Sequence, residues 1–218
     1  MFPLPALVVG SAASDVYKRQ MRHLGASVSE IAIPGYDELM QGTSVINAEF
    51  KFDLMDYLAQ FPGAPVRSLD EILSRGLYHN AVDGVLRRAN AAESRDSEGY
   101  RAALAKRETA RQAVVASMQA QALTALAYPT LRRKPAPIGE PQVGSNCQLS
   151  PTTGLPAIGI PAGFTQDGLP VGLELLGGAF SEPMLLKAAF AYERETHPRR
   201  PPATTPSLLS AAVSPAGR

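Results

Sequence analysis

Residues 153–164 read Thr153-Gly154-Leu155-Pro156-Ala157-Ile158-Gly159-Ile160-Pro161-Ala162-Gly163-Phe164. After Thr165 come Gln166-Asp167-Gly168, and then Leu169-Pro170-Val171-Gly172-Leu173-Glu174-Leu175-Leu176-Gly177. Residues 157–160 and 171–176 are short apolar runs rich in branched side chains, the pattern of buried strands. Gln166-Asp167-Gly168 is good tight-turn chemistry, because Asp bonds its own backbone and Gly accepts a positive φ. Downstream, Ser181-Glu182-Pro183 starts a helix, with proline tolerated in its first turn. Leu185, Leu186, Ala189 and Phe190 are expected on its buried side, and His197-Pro198 stops it. Residues 199–218 read as a disordered tail.

Working upstream, Leu126-Ala127-Tyr128 before Pro129 predicts a buried strand. A loop rich in Pro, Gly and basic residues follows over 131–145, and the polar stretch 146–153 holds one helical turn. Residues 44–61 predict a helix whose apolar stripe is Ile46, Phe50, Leu54 and Leu58. Ser68-Leu69-Asp70-Glu71 is a capping box for a short helix that Gly76 ends. Residues 78–92 are expected helical. Ser97 caps a long helix over about 98–123, with Tyr100, Leu104, Val115, Met118 and Ala122 inward. Residues 22–26 read as the end of a helix with Gly25 as its stop, and 27–33 alternate like a strand. The chain thus opens on the last turn of a helix, which suggests truncation.

Residues 1–20 differ in character from the rest of the chain. Met1 to Leu7 carries no charge, which argues against a signal peptide. The string SAASDVYKRQ over 11–20 resembles translated sequencing-adapter sequence, so 1–20 are set apart as non-native or disordered and expected to pack on nothing. Residues 21–198 are taken as the folded part.

The 218 residues suit one domain or a large piece of a bigger one. A net charge of +1 gives no sign of a nucleic-acid binder. No apolar run reaches the ~18 to 20 residues of a membrane-spanning helix. The single cysteine, Cys147, excludes an internal disulfide framework and a multi-cysteine zinc site. His23, His79 and His197 are far apart, so no metal site is expected and no cofactor is implied.

Local chemistry alone says little. Asp53 with Asp56, and Asp70 with Glu71, fit a solvated face or a cap better than an acid/base pair. His79 has no companion at ligand spacing. Arg132-Arg133-Lys134 fits a solvated basic loop. Cys147 has no histidine near it in sequence and reads as a small half-buried residue.

The longer pattern is more specific. Asn146-Cys147-Gln148-Leu149-Ser150, the run 153–177 and Phe180-Ser181-Glu182 occur in order. Glu49-Phe50-Lys51-Phe52-Asp53-Leu54 and Leu126-Ala127-Tyr128-Pro129-Thr130 precede them. Together they closely resemble the C-terminal part of amidase signature enzymes, over about residues 21–202. The resemblance implies an α/β fold, a mixed β-sheet flanked by α-helices. It implies hydrolysis of a carboxamide to acid and ammonia, or of an amide to acid and amine, on a small-molecule substrate. Family enzymes use a Lys, cis-Ser, Ser triad, in which lysine takes the serine proton through the bridging serine. This chain has no GGSSGG-type run, and Lys51, Lys106, Lys134 and Lys187 do not match the family lysine. No catalytic residue is therefore assigned, and the chain alone is expected to be inactive. The expected partner is a missing N-terminal half of the same domain, with room for a homo-oligomer and none for nucleic acid or membrane. Tyr128, Asn146 and Cys147 are the candidate pocket-wall residues that the resemblance implies. A cytoplasmic location agrees with the family and with the lone cysteine. The alternative is a non-catalytic pseudoenzyme, scaffold or interaction module.

Overall fold

The computed structural model describes residues 6–7 and 14–202. In chain order come β1 (Ala6–Leu7), α1 (Ser14–His23), β2 (Val28–Ser29), α2 (Tyr36–Met40), α3 (Ile46–Ala59) and α4 (Leu69–Ser74). A 3₁₀ turn (Asn80–Val82) leads into α5 (Asp83–Asn90), α6 (Glu98–Ala120) and β3 (Ala125–Pro129). The chain ends with α7 (Leu149–Thr153), β4 (Ala157–Phe164), β5 (Pro170–Gly177) and α8 (Glu182–Thr196). Two compact units result. One gathers Met1–Ile31, Ala122–Cys147 and Pro156–Arg218, and the other Ala32–Gln121 and Gln148–Leu155.

The first unit is built on a five-stranded sheet of order β2-β1-β3-β5-β4. β1 runs parallel to β2 and β3, whereas β5 is antiparallel to both β3 and β4. The sheet is therefore mixed, as the α/β reading requires. The tight turn forms where expected: Thr165 N–H donates to the Leu169 carbonyl at 2.8 Å, closing β4 onto β5. The pairing slips between Pro161 and Gly163, where φ of +116° at Gly163 supplies the bulge. Alternation along the strands puts Ala125 and Ala127, Leu173 and Leu175, and Ile160 on one face. Tyr17 and Met21 of α1 and Leu185, Ala189 and Tyr192 of α8 complete that core.

Two expectations fail here. Residues 17–20 do pack: Tyr17 is 1% exposed, Lys18 pairs with Glu30 at 2.7 Å, and Tyr192 donates to Gln20 at 2.6 Å. The adapter-like string fails as a guide because it also carries an aromatic at a helical core position. Burial pushes the Tyr192 phenol up to about 12. On α8, Leu186 and Phe190 face solvent, Phe190 at 65% exposure. Spacing alone allows a wide apolar stripe, but the sheet covers only the narrower one through Leu185, Ala189 and Tyr192. Gly25 ends α1 as expected. Its φ of +87° lets Ala26 N–H reach the Met21 carbonyl at 2.9 Å. The strand expected over 27–33 shortens to β2, although Ile31 and Ile33 are both buried. Residues 203–218 of the expected tail lie outside the described residues, as do 1–5 and 8–13 of the segment set apart at the N-terminus.

The second unit is helical. Leu69 and Leu73 of α4 pack with Ala89 of α5, and Leu54 of α3 joins them. The Ser68 cap is present, with Glu71 N–H donating to Ser68 Oγ at 3.0 Å. The Glu71 carboxylate reaches one residue further back than a capping box requires, to the Arg67 amide at 2.8 Å. That amide and the Arg75 guanidinium hold the Glu71 carboxyl below its ordinary range. Helix α3 forms as predicted, but its stripe is covered only in part: Leu54 packs and Leu58 is half-buried, whereas Ile46 is 57% exposed, Phe50 is exposed too, and no α3 residue is fully buried. Its polar side is anchored as well. Lys51 Nζ donates to the carbonyls of Asn90 and Ala92, while Arg95 bridges Asp53 and Asp56. On α6 the buried residues are Ala103, Ala110, Val114 and Met118. Met118 is inward as expected, but Ala103 and Val114 take the buried places expected of Leu104 and Val115, and Ala122 lies past the end of the helix, exposed.

Candidate active site

β3 lies between β1 and β5 and is buried along its whole length. It ends at Pro129, and the Thr130 N–H adds one more bond to β5, donating to the Gly172 carbonyl at 3.1 Å. The chain then leaves through the loop 131–145 and returns beside its starting point. Arg132 N–H donates to the Gly144 carbonyl at 2.7 Å, and Leu131 bridges Ser145. Asn146 closes the loop with two bonds. Its backbone N–H donates to the Thr130 carbonyl at 2.9 Å, and its side-chain Nδ2 donates to the Pro129 carbonyl at 2.8 Å. Asn146 is only 6% exposed, so its amide is a buried staple. Cys147 next to it is exposed, with its Sγ 2.7 Å from Ser145 Oγ.

The outer part of the loop is tied to the β4–β5 turn. Lys134 Nζ lies 2.7 Å from Asp167 Oδ2, and the Thr165 hydroxyl donates to the other carboxylate oxygen. Lys134 first, then Thr165, lowers the Asp167 carboxyl from 3.8 to about 2. A carboxyl that ionises lower in the folded chain adds stability above its ordinary value and loses it as pH falls through about 2. The melting temperature should therefore drop between pH about 4 and about 2 by an amount that Lys134→Met reduces. An unchanged pH profile in the variant would show that the pair contributes nothing, as many exposed pairs do.

Tyr128 is engaged within the sheet. Its hydroxyl donates to Glu174 Oε1 at 2.5 Å, across the registered pair of β3 and β5. The structure thus brings Tyr128 and Asn146 to the end of one strand and leaves Cys147 as the outward member of the three. Sequence reasoning did not single out Glu174, Thr130 or Ser145. A lone acid inside the apolar run Val171-Gly172-Leu173-Glu174-Leu175-Leu176 was the available signal for Glu174.

The other polar candidates have structural roles. Asp53 and Asp56 bind Arg95, and Asp70 accepts from Asn90. His79 caps the 3₁₀ turn, its Nδ1 accepting from the Ala81 amide at 3.1 Å. Lys106 reaches the Gln41 carbonyl. Among the described residues no helix is long and apolar enough to cross a membrane.

A model of the amidase family, described as Amidase, matches residues 11–186. The chain belongs to that family. It is similar to a probable amidase of Arabidopsis thaliana, 28% identical over 206 residues, 88% of this chain and 38% of that protein. A 50-residue stretch is 58% identical to a glutamyl-tRNA(Gln) amidotransferase subunit of Moorella thermoacetica, covering 22% of this chain and 10% of that protein. The native peptide amidase of Stenotrophomonas maltophilia superimposes with a TM-score of 0.78 at 28% identity, over 92% of this chain and 44% of that one. The chain therefore spans less than half the length of these relatives.

Proposed function

We propose that this chain is one part of an enzyme that hydrolyses a small carboxamide to acid and ammonia, or an amide to acid and amine. Family membership over residues 11–186 carries the reading. The Asn146 staple supports it locally, because it holds Ser145 and Cys147 at a strand end, where α/β proteins place their sites. In this reading Cys147 is a wall of the pocket, and Tyr128 and Asn146 support it from behind. The nucleophile and base come from a Lys, cis-Ser, Ser set supplied by another part of the domain. Lys51, Lys106 and Lys134 are already engaged with backbone carbonyls or with Asp167. The chain's partner would be that N-terminal half, in a cytoplasmic enzyme.

The pure 218-residue chain should show no hydrolysis of primary carboxamides or aryl amides above buffer background. Joined behind the N-terminal part of the Stenotrophomonas peptide amidase, it should gain turnover. In that hybrid, Cys147→Ser should alter KM and leave kcat within a few-fold. Activity of the chain alone that survives repurification would place the chemistry here. A folded but inert hybrid would favour a non-catalytic scaffold.

A further inference from the structure

The solvent side of α3 is apolar. At about 100° per residue, Ile46, Phe50 and Tyr57 fall within about 40° of one another around the helix. All three are exposed, and so is Phe61, which joins them just past the helix with its ring centroid 5.0 Å from that of Tyr57. The helix is held from another side, through Leu54 on the Leu69, Leu73 and Ala89 cluster and through Lys51 on the Asn90 and Ala92 carbonyls. Apolar side chains scattered singly over a surface need no partner, but an isoleucine and three aromatic rings in one row have the composition of an interface centre.

The row is symmetric about the middle of the helix. Ile46 precedes the point between Asp53 and Leu54 by as many residues as Phe61 follows it, and Phe50 by as many as Tyr57. A second α3 laid antiparallel across a two-fold axis at that point sets Ile46 against the partner subunit's Phe61, and Phe50 against the partner subunit's Tyr57. The one charge in the row is Asp53, close to that axis, where an acid would meet its own copy. Arg95 offsets it: the guanidinium binds Asp53 at 2.6 Å and Asp56 at 2.7 Å, and it lies 5.3 Å from the Phe52 ring centroid.

We propose that this row is the contact between two copies of the chain, a two-fold dimer joined by antiparallel α3 helices. The observation that favours a second copy is that the row is complementary to itself in spacing, which an unrelated partner would not require. The contact is one helix wide, so association falls in the micromolar range or weaker. The dimer does not depend on amide hydrolysis. Association of the chain and turnover of the hybrid are read separately, so either reading can fail alone.

Sedimentation equilibrium of the full chain should show a monomer–dimer equilibrium. Tyr57→Ser, at an exposed position, should weaken association about tenfold or more and leave the melting temperature of the dilute protein unchanged. Phe190→Ser removes an exposed ring from α8 and should leave association as it is. Disulfide trapping in a Cys147→Ser background reads the orientation, and it decides even if Tyr57→Ser melts lower. Phe50→Cys mixed with Tyr57→Cys should link under mild oxidation. Neither should link to itself, because its own copy lies about 10 Å away along the axis, beyond the roughly 4 Å that a disulfide spans between β-carbons. A parent still monomeric at millimolar concentration overturns the proposal, as a face covered by another part of the enzyme would give. So does undiminished association in a folded Tyr57→Ser, which places the contact elsewhere. A mixture that fails to link, or Phe50→Cys that links to itself, overturns the antiparallel dimer.

Discussion

Tyr17→Ala should cost the sheet unit about 3–5 kcal/mol, the range for deleting a buried aromatic side chain. Tyr17 sits in the core between α1, α8 and the sheet, almost wholly shielded from water. Removing its ring takes away apolar burial and leaves a cavity that helix and sheet can only partly close. Phe190→Ala is the matched control. It removes a ring of similar size from the same unit, but that ring faces solvent, and the cost should stay within about 0.5 kcal/mol. Urea unfolding followed by circular dichroism reads both, since the chain has no tryptophan. Equal midpoints for the parent and Tyr17→Ala would show that α1 is not part of the cooperative fold. Deleting residues 1–20 should destabilise the chain for the same reason.

Asn146→Asp is the second large effect. The side-chain amide donates to the Pro129 carbonyl in a buried position. A carboxylate there turns a hydrogen bond into two facing acceptors, one of them charged and shielded from water. The expected cost is about 2–3 kcal/mol. Loss of the staple also frees the segment Ser145-Asn146-Cys147, so Ellman's reagent should label Cys147 faster than in the parent. Cys147→Ser, at an exposed thiol, should change stability by no more than about 0.5 kcal/mol. An Asn146→Asp chain as stable as the parent would return Asn146 to the role of a substrate contact.

Strands β3, β4 and β5 and the turns were legible because their signals are local. Pro129 ends β3, Asp167-Gly168 makes the turn between β4 and β5, Gly25 takes the positive φ that stops α1, and Ser68 and Ser97 cap their helices within three residues. The motif order around 146–177 carried the family for the same reason, since it is a property of the chain's own succession of residues. The candidate site was legible only as places. The family resemblance put Tyr128, Asn146 and Cys147 at one cleft, but not the bonds that divide them into two held side chains and one exposed group.

Which face of each helix is buried was decided by tertiary structure. The stripe of α3 satisfies the periodicity rules, yet only its Leu54 and Leu58 are partly covered, while Lys51, Asp53 and Asp56 reach carbonyls and Arg95, 42 residues beyond Asp53. Long side chains can make such bonds from several rotations of a helix, so spacing cannot choose among them. Tyr17 is the reverse case: an ordinary helical residue becomes core because α8 and the sheet close around it. The partnership of Tyr128 with Glu174, 46 residues apart, likewise exists only once β5 lies antiparallel to β3 in the observed register. A shift of one residue would turn the carboxylate to the opposite face. Sequence by itself determined the strands β3 to β5, the helices that cap or turn chemistry marks, and the family; the register and rotation that bring distant side chains together, and the place of α1 in the core, were settled by packing.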